Sequence, residues 1–360
     1  MLLSSVLLDR EEHASRKSMK TLEGVPVKRP TILGGIAMTA VLALTACNGA
    51  GGGSDAASAN YPSGQITVNS PFNPGGGIDL AINSIIQVLG ETKLTTAQMR
   101  LNNMPGGSGM VATGTLASDY NGANDQLLVT SVSNLSSSLQ DSANVGLMKM
   151  VPLAGLFAEY TYVYVRKDSP FTKLSDVVDA IKARPGDVKI GGASLGSADN
   201  IVVADLAKLD GVPFSQLAYL PLEGAENQTN LLGGQIDVAF GGPDLLSLVE
   251  SGDARVLAVS APKRLSADRV KDIPTMTELG YNVTQSNWRG AFGPPDMPDY
   301  AVKYWGDTFK KLSTTPQWKA VADKNAWDIT GLDPAQFKDF LETEQKSLAT
   351  ALTDLGLIQN

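Results

Sequence analysis

From Gln65 onward the chain alternates short β-rich runs with helical patterns, and this alternation constrains the fold more than any other feature. Predicted strands lie at 66–70, 99–103, 126–130, 161–166, 188–192, 236–240 and 255–260, and helical patterns lie at 79–90, 173–183, 199–209 and 243–250. Such alternation is typical of an α/β protein with largely parallel sheets. The last segment is helix-like. Asp333 followed by Pro334 predicts a helix start there, and an apolar stripe predicts that this helix packs on the core: Phe337, Phe340, Leu341, Leu348 and Leu352.

A glycine run joins the first predicted strand to the first predicted helix. Glycine exposes backbone N–H groups, and a helix start carries partial positive charge, so this turn suits an anion without any basic side chain. Its candidate ligand residues are Phe72, Asn73, Gly75, Gly76, Gly77 and Asp79. Asp79 is predicted to cap the helix by accepting backbone N–H bonds. The alternative is that the run is only a tight turn. No Gly-Lys-Ser/Thr follows, which excludes a phosphate-binding P-loop.

Two further glycine-rich turns, 105–109 and 191–197, also follow strands and open helices. Ligands in open α/β sheets bind outside the carboxyl ends of the strands, where these turns lie. The candidate ligand residues at this level are Ser131, Ser133, Ala193, Ser194, Gly196, Ser197, Gly242 and Asp244. Hydroxyl and amide groups suit an oxygen-rich ligand. For each single serine, a solvated turn residue remains the favoured alternative.

The amino-terminal region has the layout of a secretory signal. Lys28 and Arg29 precede an uncharged stretch, 30–46, which ends in small residues before Cys47. Leucine three residues before that cysteine, with alanine directly before it, resembles a bacterial lipobox, so Cys47 is the predicted lipidation site. The alternative is a transmembrane anchor with an incidental cysteine, but the stretch is shorter than the ~20 residues of a spanning helix. Residues 1–46 are therefore a predicted lipoprotein signal peptide, with Met19 as an alternative start, and residues 47–60 a flexible tether.

The residue inventory excludes several classes of protein. Cys47 is the only cysteine and His13 the only histidine, and both lie at or before the predicted cleavage point. The mature chain then lacks Ser-His and Cys-His nucleophile pairs and the commonest metal ligands, so we expect no enzyme, no metal and no cofactor. Without residues 1–46, 23 basic residues face 33 acidic ones, and no basic cluster stands out. This balance argues against nucleic acid as a partner.

Several segments, in this order and spacing, resemble one family. They are 61–63, the glycine loop 74–79, the turn 105–109, the block 231–237, residues 257–260 with Lys263 and Arg264, and residues 273–280. Together they resemble the extracytoplasmic solute receptors of tripartite tricarboxylate transporters, the Bug/TctC family, from about Tyr61 to the carboxyl terminus.

The resemblance implies an α/β, two-lobed periplasmic-binding-protein fold of type II, in which the chain crosses twice between lobes that close over a carboxylated ligand. Mapped here, the crossings would fall near 160–166 and 285–292, so that residues 61–162 and 287–360 would form one lobe and residues 163–286 the other. In the family the first glycine loop holds a carboxylate through backbone amides and ordered water. The turn from Ser194 to Ser197 would meet the ligand from the opposite lobe.

Departures from the family concern specificity. Where many members carry Tyr-Lys-Gly, this chain has Leu222-Glu223-Gly224, and where many have histidine it has Asn200. Arg289 falls at the second predicted crossing. It would either offer a bidentate fork to a distal carboxylate or pair with an acidic neighbour and lock the hinge.

The sequence thus predicts an extracytoplasmic, lipid-anchored monomeric receptor that binds a small carboxylate, with di- and tricarboxylates among the candidates, and delivers it to membrane permease subunits. A sensor that presents its ligand to a signalling protein is one alternative. An extracellular hydrolase, which would need Ser with Lys or paired carboxylates, is the weaker one.

Overall fold

The computed structural model describes residues 60–141, 146–222 and 224–359. The predicted signal peptide, Cys47, all of the tether except Asn60, and Glu223 lie outside the described residues. Within the described ranges, no helix combines the length and the apolar character that a membrane crossing requires.

In this part of the chain the strands form two sheets. The strands are β1 (Gln65–Ser70), β2 (Gln98–Asn103), β3 (Gln126–Ser131), β4 (Val151–Tyr160), β5 (Tyr162–Arg166), β6 (Lys189–Gly192), β7 (Ala218–Pro221), β8 (Val238–Gly241), β9 (Ala254–Val259), β10 (Ser286–Gly293) and β11 (Asp328–Leu332). The first sheet has the order β11-β4-β10-β3-β1-β2, and the second β7-β6-β8-β5-β9.

Helices flank both sheets. They are α1 (Gly77–Thr92), α2 (Met110–Ser118), α3 (Val132–Gln140), α4 (Leu174–Ala183), α5 (Ala198–Leu209), α6 (Ala225–Leu232), α7 (Leu246–Glu250), α8 (Asp299–Leu312), α9 (Pro316–Asn325) and α10 (Pro334–Asp354). The predicted start of α10 is confirmed. The Asp333 carboxylate accepts the Gln336 N–H at 3.0 Å as an N-cap, and the buried side of the helix carries the predicted apolar stripe.

Pairing in both sheets is mixed rather than mainly parallel, which corrects the sequence-based prediction. β1 pairs in parallel with β2 and β3, and β6 with β7 and β8. β10 is antiparallel to β3 and β4, β11 to β4, and β5 to β8 and β9. β4 carries the chain out of the first sheet and β10 carries it back, so these neighbours run in opposite directions. The last segment is also not wholly helical, because β11 completes the edge of the first sheet.

The topology places the glycine turns at one edge of each sheet. β1 and β3 are parallel neighbours, so Ser70 and Ser131 end at the same edge. β6 and β8 are parallel neighbours too, which places Gly192 beside the end of β8. Each pair of strand ends therefore forms one rim from which a ligand can be reached.

The two lobes, defined by these sheets, contact each other through the turn after β6. Ser136 Oγ of α3 donates to the Gly196 carbonyl oxygen at 3.1 Å. Leu348 and Leu352 of α10 share a buried apolar cluster with Ala198 and Ile201 of α5. The carboxyl-terminal helix thus packs on both lobes and holds the turn after β6 close to the first lobe.

Candidate functional site

The first glycine turn is open to solvent. Gly75, Gly76 and Gly77 are exposed, and α1 begins at Gly77 with Gly76 as an N-cap that has no side chain to offer. Within the described residues, the N–H groups of Gly76 and Gly77 have no hydrogen-bond acceptor. Two free amides at a helix start suit an anion, and the role of this turn in ligand binding stays a prediction.

The same turn differs from the prediction in one respect. Asp79 is not the N-cap but lies in the first turn of α1, and its carboxylate accepts the Gly75 N–H at 3.1 Å and the Asn103 side-chain amide at 2.6 Å. The Gly75 amide is therefore already satisfied. Asp79 positions the turn, and the exposed amides of Gly76 and Gly77 remain available.

The residues before the glycines have unequal surroundings. Phe72 is partly buried against the core of the first lobe, and its carbonyl oxygen accepts the Asn103 amide at 3.1 Å. Asn73 is exposed. Phe72 therefore fixes the path of the loop, whereas the Asn73 side chain is free to meet a ligand.

The serines after β3 are better protected than solvated turn residues. Ser131 is only 4% exposed and is the N-cap of α3, yet its hydroxyl makes no cap hydrogen bond, and Ser133 is half-buried in the first turn of the same helix. The turn after β2 serves packing: a Cβ at Gly109 would lie 1.9 Å from the Asn134 amide nitrogen. Gly109 therefore lets this turn pack closely against α3.

Three amides of the turn after β6 have acceptors within that turn and the start of α5. Ala193 N–H donates to the Asp199 carboxylate at 3.4 Å, Gly196 N–H to Asn200 Oδ1 at 3.0 Å, and Ser197 N–H to the Ser194 carbonyl at 3.0 Å. The Ser197 hydroxyl caps α5. The sequence-based picture of a second set of bare amides is therefore wrong for these three positions, while Ser194 stays exposed.

The turn after β8 brings a second carboxylate to this rim. The Gly242 carbonyl oxygen accepts the Tyr164 hydroxyl at 2.7 Å, and Asp244 is exposed just beyond it. The protein around the Asp244 carboxylate still removes part of its water, which raises its pKa, and the Glu159 carboxylate adds to the rise.

Arg289 forms an ion pair between the two crossing strands of the first sheet. Its Nη2 atom lies 2.6 Å from the Glu159 carboxylate, with side chains only 8% and 16% exposed, and its Nη1 atom donates to the Asn287 side chain. The other Glu159 oxygen accepts the Trp327 indole N–H at 2.7 Å. Of the two predicted roles, the structure shows the hinge pair. The guanidinium nevertheless borders the glycine turn, since a Cβ at Gly77 would lie 3.7 Å from Nη2.

Asp199 is the most perturbed carboxylate at the rim. It is partly buried in the first turn of α5 and accepts the Thr161 hydroxyl at 2.7 Å. Burial raises its pKa to about 6, with smaller contributions from Asp244 and Glu159, and the bonds from Thr161 and Ala193 oppose the rise. Asp199, Asp244 and Glu159 therefore influence one another electrostatically, and Arg289 is paired with Glu159.

Replacing Asp199 by Asn is expected to change how stability depends on pH. Between about pH 4 and pH 6 the folded protein retains a proton that an unfolded Asp has lost, so this residue's contribution to stability falls as the pH rises. Asn does not titrate. The free energy of unfolding of Asp199→Asn should therefore rise relative to the unmodified protein by about 1–3 kcal/mol between pH 4 and pH 7. Urea unfolding of both proteins at each pH measures this; a constant difference would contradict it.

A cavity of about 320 Å³ lies elsewhere in the second lobe. Asp187 and Asp237 line it, and they precede β6 and β8, so it lies at the amino ends of these strands, opposite the glycine turns. Among the described residues, no group of three or more His, Cys, Asp or Glu side chains is arranged to hold a metal ion.

The fold and the position of the turns agree with one protein family. The sequence profile described as "Tripartite tricarboxylate transporter family receptor" matches residues 88–357, well over half of the chain. The chain belongs to this family. It is therefore a substrate-binding receptor and not an enzyme, as the sequence predicted.

Sequence relatives of the receptor include two UPF0065 proteins. That of Cupriavidus necator is 27% identical over 202 residues, which is 56% of the receptor and 60% of that protein, so the match spans less than two thirds of its length. That of Bordetella pertussis is 22% identical over 303 residues, 82% of the receptor and 91% of that protein.

Solved structures share the fold of the receptor. MatC of Rhodopseudomonas palustris with bound malate has a TM-score of 0.67 and 19% identity, and the match covers 81% of the receptor and 100% of MatC. An R. palustris protein with adipate has a TM-score of 0.69 and 20% identity, covering 82% and 99%. The periplasmic binding protein BugD has a TM-score of 0.68 and 19% identity, covering 83% and 100%. The predicted two-lobed periplasmic-binding-protein fold is confirmed.

Sequence reasoning missed two contributors to the site. Glu159 lies on β4, which was not predicted as a strand. Pro152 and Gly155 interrupt the β-rich pattern of this segment. Asp199 has the position of an ordinary acidic residue in a first helical turn. Nothing in the sequence marks Asp199 as close to the carboxyl end of β8, because that proximity depends on strand order.

Proposed function

We propose that this receptor binds a small carboxylate between its two lobes, outside the cytoplasm, and delivers it to membrane permease subunits. The free, exposed amides of Gly76 and Gly77 at the start of α1 carry the proposal, because they can hold a carboxylate without a cationic side chain. Malate in MatC and adipate in its R. palustris relative support a carboxylate as the ligand class.

Residues 61–162 with 287–360 would form one lobe and 163–286 the other. Ligand residues of the first lobe would be Phe72, Asn73, Gly76 and Gly77, with Ser131 and Ser133. Those of the second would be Ser194, Asp244 and their neighbours on the same turns. Closing the lobes would remove water from the carboxylate and strengthen each amide contact.

The lipid anchor at Cys47 belongs to the proposal and derives from the lipobox-like sequence. Detergent phase partition of the protein made in a bacterial host tests it. Protein with the native sequence should enter the detergent phase and the Cys47→Ser variant the aqueous phase. Equal partition of the two would contradict lipidation.

Calorimetric titration tests carboxylate binding. Acetate, succinate, malate, glutarate, adipate and citrate are titrated into protein that has been unfolded, freed of retained ligand and refolded. We expect saturable binding of at least one acid, with a matching rise in melting temperature. Neither heat nor thermal shift with any acid would contradict the proposal. Transport and sensing differ in the partner, so binding supports both, and co-purification with permease subunits favours transport.

A further inference from the structure

We propose that the ligand of this receptor carries a protonated amine besides its carboxylate, and that Asp199 and Asp244 select for that amine. The inference rests on the proposed function and narrows it, because it assigns opposite chemistry to the two ends of the ligand.

The first lobe presents hydrogen-bond donors. The Gly76 and Gly77 amides have no acceptor within the described residues. Arg289 borders this turn, is 7% exposed, and its buried Nε–H has no partner. A buried guanidinium N–H without an acceptor is costly, so it indicates an acceptor group supplied from outside the chain. A ligand carboxylate fits these donors.

The second lobe presents two carboxylates. The amides of Ala193, Gly196 and Ser197 are used within their own turn. Asp199 and Asp244, at the ends of the neighbouring strands β6 and β8, have no Lys or Arg nitrogen within 4.0 Å in the described part of the chain. The Thr161 hydroxyl and a long bond from Ala193 leave further lone pairs on Asp199 free.

The charges at the site do not cancel. Arg289 is balanced by Glu159 at 2.6 Å, which leaves the two aspartates without a cation. Asp244 and Glu159 both raise the pKa of Asp199, which places the three carboxylates within electrostatic reach of each other. A second ligand carboxylate at this end would add repulsion, whereas an ammonium group would supply the missing cation.

Matched ligand pairs test this inference. Succinate, glutarate and adipate are compared with the acids in which one carboxylate is replaced by an amine, 3-aminopropanoate, 4-aminobutanoate and 5-aminopentanoate, and also with aspartate and glutamate. Calorimetry at pH 7.5 should show at least one amino acid binding tenfold or more tightly than the dicarboxylate of the same length.

Variants then assign the preference to the aspartates. In Asp199→Asn with Asp244→Asn we expect the preference for the amino acid to fall at least tenfold, while the dicarboxylates bind equally or more tightly. Asp205→Asn, a partly buried carboxylate on the same helix, should leave the preference unchanged. Circular dichroism melts of each variant check folding.

The outcomes separate the two proposals. Dicarboxylates that bind more tightly than every amino partner, or a preference that survives both Asn substitutions in folded protein, would overturn the inference and leave carboxylate binding intact. Failure of every acid to bind would overturn the proposed function together with the inference.

Discussion

Replacement of Gly77 by proline is expected to weaken binding of a carboxylate ligand about 10- to 100-fold with little effect on stability. Gly77 is the first residue of α1, where proline is well tolerated, and Gly76 before it has the extended backbone (φ −82°, ψ −178°) that a following proline requires. The substitution removes one N–H that has no acceptor in the described structure. A hydrogen bond to a charged group contributes about 1.5–3 kcal/mol, which corresponds to this loss.

Gly77→Ala is the matched control, because it keeps the N–H and places a Cβ at an ordinary contact distance of 3.7 Å from Arg289. Calorimetry with the tightest acid compares the two variants, and thermal melts verify that both fold. If proline and alanine reduce the affinity equally, the effect is steric and the amide does not hold the ligand.

Removal of the Glu159 side chain in Glu159→Ala is expected to lower the free energy of unfolding by about 3–5 kcal/mol. The substitution leaves the Arg289 guanidinium buried without its carboxylate and the Trp327 indole N–H without its acceptor. Glu159 and Arg289 lie on β4 and β10, the strands that carry the chain between the lobes, and Trp327 directly precedes β11. Urea unfolding measures the change.

Asp307→Ala provides the contrast. Its ion pair with Lys303 spans one turn of α8 with side chains 59% and 78% exposed, so its loss should change stability by less than about 1 kcal/mol. The double variant Glu159→Gln with Arg289→Met, which removes both charges, should recover part of the loss. A Glu159→Ala protein as stable as Asp307→Ala would show that the buried pair does not stabilise the crossing.

The local elements of the fold could be predicted from the sequence. Asp333 and Pro334 marked the start of α10, because a cap and a fixed φ act within one helical turn. The glycine turn before α1 was recognised for a similar reason, since free N–H groups at a helix start follow from residues next to each other. β4, β10 and β11 were not recognised as strands, because their stability comes from neighbours far along the chain.

The candidate site also has residues that the sequence predicts and residues whose roles only the structure shows. Gly76 and Gly77 needed only the sequence, whereas the roles of Asp79, Ala193 and Gly196 depended on which acceptor each N–H would reach. The two predicted roles of Arg289 could not be separated until β4 and β10 paired side by side and brought Glu159 within 2.6 Å of it.

The sequence by itself determined the family, the α/β class and the position of an exposed glycine turn at a helix start, because these follow from short-range patterns and residue types. Only the tertiary structure decided which carboxylates come together. Glu159, Asp199 and Asp244 come from β4, α5 and the turn after β8, and the fold brings them within electrostatic reach of one another. Electrostatic interaction depends on distance through space and not on separation along the chain, so the charge of the site could not be read from the sequence.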